Sequence, residues 1–213
     1  MSRRSASSDP TELPGITAVI LCGGRATRLG GIEKPLADLG GKSLLAHVIA
    51  RLEPQVDSIV LSVGRGFAHY AGFGYPVVVD HEPDQGPLAG IVSALAVVET
   101  PWTLTTPADT PFLPSNLVQA LAPSCREHGA AVVSAGGHRQ NLAMLLDQSQ
   151  AASLAEFYGT GGRAVHRWLV ARNVDEVAFP VDGFLNINTP DDLALALSEL
   201  GRRSPCDRER ATP

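Results

Sequence analysis

The chain has 213 residues, of which 44% are hydrophobic and 18% are charged. It therefore has enough apolar material for a core and too little charge for a disordered chain, and its length favours one domain over two independent cores. The formal net charge of −5 argues against broad binding to a nucleic-acid backbone or to an anionic membrane, so an anionic ligand would have to be bound locally.

The cysteines predict neither a disulfide framework nor a zinc site. Cys22, Cys125 and Cys206 are widely spaced, odd in number and without a Cys-x-x-Cys pair. Two arginines near the N-terminus are followed by no apolar segment, and no run of about 18 apolar residues occurs. We therefore expect a soluble, cytoplasmic protein. Residues 1–13 and 202–213 are polar and aperiodic, which predicts flexible tails around one domain at 14–201.

Short apolar runs alternate with helical patterns along the domain. Predicted strands cover 16–21, 58–63, 76–79, 102–105 and 130–135, with weaker ones near 142–146 and 176–179. Predicted helices lie near 44–52, 88–95, 117–121, 151–157 and 163–171. Several of the strands are almost continuously apolar, as is typical of strands covered on both faces. The pattern predicts an α/β three-layer sandwich with a mostly parallel sheet and right-handed crossovers.

A glycine-rich segment with three cations follows the first strand. Gly23, Gly24, Gly30 and Gly31 surround Arg25 and Arg28 and precede Lys34. Glycines let backbone N–H groups approach a phosphate, and the cations compensate its charge, so we interpret the segment as a polyphosphate-binding loop. It matches neither the Gly-Lys-Ser/Thr of P-loops nor the Gly-x-Gly-x-x-Gly of dinucleotide folds. The alternative is a glycine-rich turn with solvated arginines.

Carboxylates follow two predicted strands. Asp80 ends the strand at 76–79, and Asp109 comes shortly after the strand at 102–105. Ligands of open parallel sheets bind beyond the carboxyl ends of the strands, where both side chains are expected. A carboxylate facing a triphosphate needs a cation between them, which makes Asp109 a candidate Mg²⁺ ligand. The alternative for each is a cap or turn residue.

The loop resembles the signature of the molybdenum cofactor guanylyltransferases, within the nucleotidyltransferases of Rossmann-like fold. The resemblance runs through LCGGRATRLGGIEKPL at 21–36, DQGPLAGIVSAL at 84–95, TPADTPFLP at 106–114 and FLNINTPDDLA at 184–194. It implies transfer of GMP from GTP to the phosphate of molybdenum-molybdopterin, with release of pyrophosphate. We further expect contacts with other molybdenum cofactor biosynthesis proteins or acceptor proteins, and a monomer or weak homo-oligomer. The net charge predicts no nucleic-acid or membrane partner.

The resemblance also assigns roles to individual residues. It implies that Leu21, Cys22, Gly23 and Gly24 meet the nucleotide through the backbone, that Asp80 contacts the nucleotide, and that Arg28 and Lys34 balance phosphate charge. Asp109 is implied as the magnesium ligand, with Asn188 as a second metal-side residue. Asn188 has an alternative role at a helix start, with Thr189 as the cap and Pro190 in the first turn.

Some positions depart from the family pattern. Glu33 replaces a usual aspartate, Ser62 stands where an asparagine often contacts the nucleotide, and 139–142 replaces a His/Gln-Pro segment near the pterin. These departures leave the base and the acceptor open, so one alternative is a related nucleotidyltransferase that uses CTP or another acceptor, such as a sugar phosphate. A second alternative is a non-catalytic nucleotide-binding module, against which the presence of Lys34, Asp80 and Asp109 speaks. Cys22 as a reactive thiol is a third idea, against which a small buried residue is the simpler interpretation.

Overall fold

The computed structural model describes residues 13–23, 28–29, 32–64, 66–82 and 85–202. Their main element is one seven-stranded sheet, whose strands we number in chain order. They are β1 (Ile16–Leu21), β2 (Ser58–Val63), β3 (Val77–Val79), β4 (Trp102–Pro107), β5 (Ala130–Ala135), β6 (His138–Asp147) and β7 (Asp175–Phe179). Each predicted strand is present, and the order across the sheet is β7-β5-β6-β4-β1-β2-β3.

Six of these strands run in the same direction. β1 lies inside the sheet and pairs in parallel with β2 and with β4, while β3 continues the parallel arrangement beside β2. β6 alone is antiparallel, between β4 and β5, and its register shifts between Gln140 and Met144. The prediction of a mostly parallel sheet is therefore confirmed. The first four strands end at the same edge, which gathers the residues that follow them.

Within the described ranges the chain forms seven α-helices. They are α1 (Leu44–Leu52), α2 (Phe67–Tyr70), α3 (Pro87–Leu95), α4 (Leu117–His128), α5 (Gln148–Gly159), α6 (Val165–Ala171) and α7 (Pro190–Arg202). The spacing of apolar residues predicted the five helices α1, α3, α4, α5 and α6, and it did not predict α2, which is only four residues long. Pro190 opens α7, as expected for a proline in the first helical turn.

The helices cover both faces of the sheet because each strand presents apolar side chains to both sides. β1 is buried along its whole length. Its residues Ala18 and Ile20 pack in a cluster with α1 and α4, whereas Val19 and Leu21 pack in a second cluster with α3, α5 and α6. The predicted three-layer sandwich is confirmed. Burial on both faces is the reason that β1, β2 and β5 are nearly continuous in apolar residues.

A third, smaller cluster joins α7 to a short β-hairpin in which 38–39 pair with 42–43. Leu39, Phe112 and Ile187 are buried in it. The predicted tails fall almost wholly outside the described residues. At their inner ends, Leu13 is 7% exposed and packs in the first core cluster, and Arg202 is the last residue of α7.

Candidate active site

The carboxyl ends of β1, β2 and β4 form the framework of the site. The backbone N–H of Cys22 donates to the carbonyl of Ser62 over 2.8 Å, and the N–H of Ala108 donates to the carbonyl of Leu21 over 3.0 Å. These bonds extend the parallel pairing beyond the last residue of β1. The segment that begins at Cys22 therefore leaves the sheet between the ends of its two neighbouring strands, where the sequence placed a ligand site.

Three distant parts of the chain meet at the side chain of Lys34. Its Nζ donates to Asp109 Oδ2 and, over 2.6 Å, to Asn188 Oδ1. The Lys34 side chain is only 12% exposed and that of Asp109 21% exposed, so the ion pair is largely removed from solvent. The fold thus assembles the lysine, the acid and the amide that the sequence nominated separately.

The backbone around Asn188 confirms its position at a helix start and leaves its side chain in contact with Lys34. The N–H of Ile187 donates to the carbonyl of Asp109 over 3.1 Å, which ties the segment to the end of β4. Asp192 accepts from the N–H groups of Asn188 and Thr189, each over 2.9 Å, and these bonds lower the pKa of its carboxyl. The Thr189 hydroxyl in turn accepts from the N–H of Asp192 over 3.1 Å, so the segment caps α7 and still presents Asn188 to Lys34.

The residues present fit a magnesium ion. Asp109 Oδ1 is buried and has no hydrogen-bond partner among the described residues, although its other oxygen is bound to Lys34. Buried carboxylate oxygens are normally satisfied, so this atom is available to a cation. The same lysine also donates to an amide oxygen, Asn188 Oδ1. One carboxylate and one amide, completed by phosphate oxygens and water, are a donor set typical of Mg²⁺.

A second cluster surrounds Asp80 at the end of β3. The Ser62 hydroxyl donates to Asp80 Oδ1 over 3.2 Å, and burial raises the pKa of Asp80 despite this bond. A Cβ on Gly90 would lie 2.6 Å from Ser62 Oγ and 3.0 Å from Asp80 Oδ1. A Cβ on Gly23 would lie 2.9 Å from the backbone N of Gly64. The absence of side chains at Gly23 and Gly90 thus permits this close packing around the acid.

Ser62 is 2% exposed, so its side chain contacts Asp80 instead of lying open at the surface.

Cys22 is also buried, and burial together with the charge of Glu33 raises the pKa of its thiol. A thiol that remains protonated is a poor nucleophile. These properties favour the interpretation of Cys22 as a small core residue, while its backbone remains at the predicted position.

A cavity of about 250 Å³ opens beside Asp109. The residues that line it come from β4, β6 and the segment before α7; they are Pro107, Asp109, Thr110, Arg139, Gln140, Asn141, Leu142, Ala143, Phe184, Asn186 and Asn188. The segment 139–142, which the sequence linked to the acceptor side, therefore shares a cavity with the candidate metal residues. Thr110, Phe184 and Asn186 carried no signal of their own, because only the fold brings them here.

Part of the predicted loop cannot be placed. Gly24 lies outside the described residues, as do Arg25, Gly30 and Gly31, and only the backbone of Arg28 is described, in a short pairing of 28–29 with 32–33. The roles predicted for Gly24 and Arg28 stay predictions. Among the described residues, no group of three or more His, Cys, Asp and Glu side chains is placed to hold a metal without ligands from a substrate.

Comparison with known proteins gives the site a family. Residues 18–176 match the MobA-like NTP transferase domain. The chain belongs to the MobA-like NTP transferase family. Proteins named molybdenum cofactor guanylyltransferase are similar to it over nearly their full length: that of Cupriavidus metallidurans is 38% identical over 86% of this chain and 95% of its own, and that of Ralstonia nicotianae 38% identical over 84% and 94%.

Solved structures confirm the Rossmann-like nucleotidyltransferase fold. The molybdopterin-guanine dinucleotide biosynthesis protein A of Archaeoglobus fulgidus superposes with a TM-score of 0.69 at 23% identity, covering 87% of this chain and 99% of that one. The 2-C-methyl-D-erythritol 4-phosphate cytidylyltransferase of Thermus thermophilus gives a TM-score of 0.66 at 18% identity, over 86% and 98%. Membership of the MobA-like NTP transferase family makes the protein a nucleotidyltransferase. No helix within the described ranges is long and apolar enough to cross a membrane.

Proposed function

We propose that this protein transfers GMP from GTP to the phosphate of molybdenum-molybdopterin and releases pyrophosphate. The observation that carries the proposal is the convergence of Lys34, Asp109 and Asn188 at the carboxyl edge of the sheet, beside a cavity of about 250 Å³. The proposal is supported by the molybdenum cofactor guanylyltransferase of Cupriavidus metallidurans, which is 38% identical to this chain over 95% of its own length. Similarity of fold alone does not indicate which base or which acceptor the enzyme uses.

The acceptor phosphate is already an anion at neutral pH, so the reaction needs no strong base and no covalent nucleophile from the protein. Positioning and neutralisation of charge supply the catalysis. Lys34 is suited to this task because its ammonium already lies at the edge of the sheet, 2.6 Å from Asn188 Oδ1. In the complex we expect it to bind phosphate oxygens of the donor, with Arg28 in support.

Asp109 and Asn188 would hold the magnesium ion, which supplies Lewis-acid neutralisation of the phosphates when bound. The free Oδ1 of Asp109 is the oxygen available to it. The nucleotide would lie against the backbone of Leu21, Cys22 and Gly23, with its base directed towards Asp80. The Asp80 carboxylate offers two acceptor oxygens, which complement the adjacent N–H groups on the edge of a guanine base.

The cavity lined by 139–142 would receive the acceptor. Its polar lining of amides and Arg139 is suited to a pterin, whose ring carries several hydrogen-bond donors and acceptors. The cytoplasmic location, the oligomeric state and contacts with other proteins of cofactor biosynthesis remain predictions.

The base is tested by pyrophosphate release with molybdopterin, Mg²⁺ and each of GTP, CTP, ATP and UTP in turn. We expect release with GTP and little with the others. Clear release with CTP and none with GTP would sink the guanylyl assignment in favour of a cytidylyltransferase. Equal release with and without molybdopterin would show that molybdopterin is not the acceptor, since transfer to water would then account for the whole signal.

The metal site is tested by Asp109→Asn, which preserves shape and removes the charge. We expect Mn²⁺ binding in the presence of GTP to be lost and kcat/KM to fall roughly 100-fold or more. Asp175→Asn is the matched control, because Asp175 Oδ2 also contacts a basic side chain, 2.8 Å from His128 Nδ1, but lies at the start of β7, away from the carboxyl edge of the sheet. Equal metal binding by both variants would show that the metal residue is misassigned.

A further inference from the structure

Glu33, which directly precedes Lys34, has both carboxylate oxygens engaged by α2. The Tyr70 hydroxyl donates to Glu33 Oε2 over 2.7 Å, and His69 Nδ1 lies 2.9 Å from Glu33 Oε1. Tyr70 is 1% exposed, so its hydroxyl lies at a buried position and its ring packs in the first core cluster. No sequence pattern connects Glu33 with Tyr70, which lies 37 positions further along the chain.

The start of α2 is shaped to receive this carboxylate. Gly66, the residue before α2, has a φ of +75°, in the left-handed region that favours glycine. A Cβ at Gly66 would lie 2.8 Å from Glu33 Oε1, a separation that a side chain could not accept without displacement. Three residues of one short segment, Gly66, His69 and Tyr70, thus lie against the Glu33 carboxylate.

The consequence reaches Lys34 through the backbone. Lys34 follows Glu33 by one peptide bond and begins a 3-10 turn, Lys34–Leu36, whose second residue Pro35 is buried. The Cα of Lys34 is therefore held between the anchored Glu33 and a buried proline. From this position its ammonium reaches Asp109 and Asn188. A four-carbon side chain is flexible, so the position of its Cα limits the region that the ammonium can reach, and the bonds to Asp109 and Asn188 select one site within it.

We propose that Tyr70, acting through Glu33, is a positioning residue that holds the Lys34 ammonium at the phosphate and metal site. The inference rests on the proposed function only for the role of Lys34 in turnover. It gives Glu33 a structural task, because a carboxylate engaged on both oxygens by α2 is not available as a metal ligand or a base.

Tyr70 is suited to act as a constant donor. Burial and the bond to Glu33 raise the pKa of its hydroxyl above the ordinary value, so the proton remains on the phenol throughout the pH range of enzyme assays. A hydrogen bond from a buried phenol to a carboxylate is among the stronger types, because one partner is charged. The contact therefore persists while Lys34 changes partners during binding.

The decisive experiment uses the fact that the chain has only two lysines, Lys34 and Lys42. Protein labelled with ¹³C at the lysine ε-carbon gives two signals, assigned with Lys34→Met and Lys42→Met. In Tyr70→Phe we expect the Lys34 signal to move towards the position of a solvated lysine, while the Lys42 signal stays in place. An unchanged Lys34 signal in a folded Tyr70→Phe protein would overturn the proposal.

The control variant is Tyr75→Phe, which removes another tyrosine–glutamate hydrogen bond, to Glu53 at the end of α1. It should leave both lysine signals unchanged. If it moves the Lys34 signal as much as Tyr70→Phe does, the effect is a general response of the fold and the positioning role is refuted. Because these spectra need no substrate, they decide the inference even if GTP proves to be the wrong nucleotide.

Turnover provides the second measurement, on a double-mutant cycle. Tyr70→Phe should lower kcat/KM roughly tenfold in the natural background and less than about twofold in the Lys34→Met background, since the interaction acts through the lysine. Equal losses in both backgrounds would show a purely structural role for Tyr70. If the natural protein shows no turnover with GTP, the proposed function is contradicted, whereas the spectroscopic test of Tyr70 remains valid.

Discussion

Gly90→Ala tests the cluster around Asp80 because the added methyl group has a defined place to clash. Its Cβ would lie 2.6 Å from Ser62 Oγ, 3.0 Å from Asp80 Oδ1 and 3.3 Å from Asp80 Oδ2. The first distance is shorter than real Cβ contacts, so Ser62 or the backbone of α3 must move. Overpacking of this kind costs about 1–3 kcal/mol, partly offset by about 1 kcal/mol from the better helix propensity of alanine. We expect a net loss of stability of about 0–2 kcal/mol.

The effect on nucleotide binding should be larger than the effect on folding. Displacement of Ser62 also displaces Asp80, to which its hydroxyl donates. A displaced carboxylate would lose hydrogen bonds to the base, which are worth about 1.5–3 kcal/mol each because one partner is charged. The affinity for GTP should then fall roughly 10- to 100-fold, measured by calorimetry beside urea denaturation of the same preparation. Gly159→Ala is the control, because Gly159 also lies in a helix, the last turn of α5, and a Cβ there meets nothing within 4 Å. Unchanged GTP affinity in Gly90→Ala would refute the placement of the base at Asp80.

Three further substitutions separate stability from function. Burial raises the folded-state pKa of Asp80, so its charged form opposes folding above the unfolded-state pKa. Asp80→Asn should therefore raise Tm at pH 7 and abolish GTP binding. The gain in Tm should shrink as the pH falls, because the native carboxyl then becomes protonated and loses its destabilising charge. A lower Tm at pH 7 would contradict this reasoning. Cys22→Ala should keep kcat within about twofold, because the buried thiol only fills space, and a complete loss of turnover would reinstate a reactive cysteine. Thr189→Ala should cost about 1 kcal/mol in urea denaturation by removing the cap of α7, whereas Ser198→Ala, on the exposed side of the same helix, should cost less; equal costs would show that the cap is unimportant.

The sequence alone determined the layered architecture. Apolar runs such as 16–21 and 130–135 cannot be buried on both faces except between layers of helices, so composition and period are sufficient to predict them. It also nominated Asp109, since the residues that follow parallel strands meet at one edge, and Lys34, which ends a glycine-rich segment with three cations. Asn188 was implied by the resemblance to the guanylyltransferases. The direction of β6 was not predicted, because a strand's own sequence does not state which way its neighbours run.

Only the tertiary structure decided which of these side chains touch. Lys34 and Asn188 are separated by 154 positions, and no local pattern indicates that one ammonium bonds to both Asn188 and Asp109. The same is true of Tyr70 and Glu33, whose contact depends on α2, a helix too short to have a period. Local secondary structure can be predicted from the sequence because propensities and caps act over a few residues. Distant contacts depend on how the helices and loops pack around the sheet, and that packing brings Lys34 to Asp109 and Asn188.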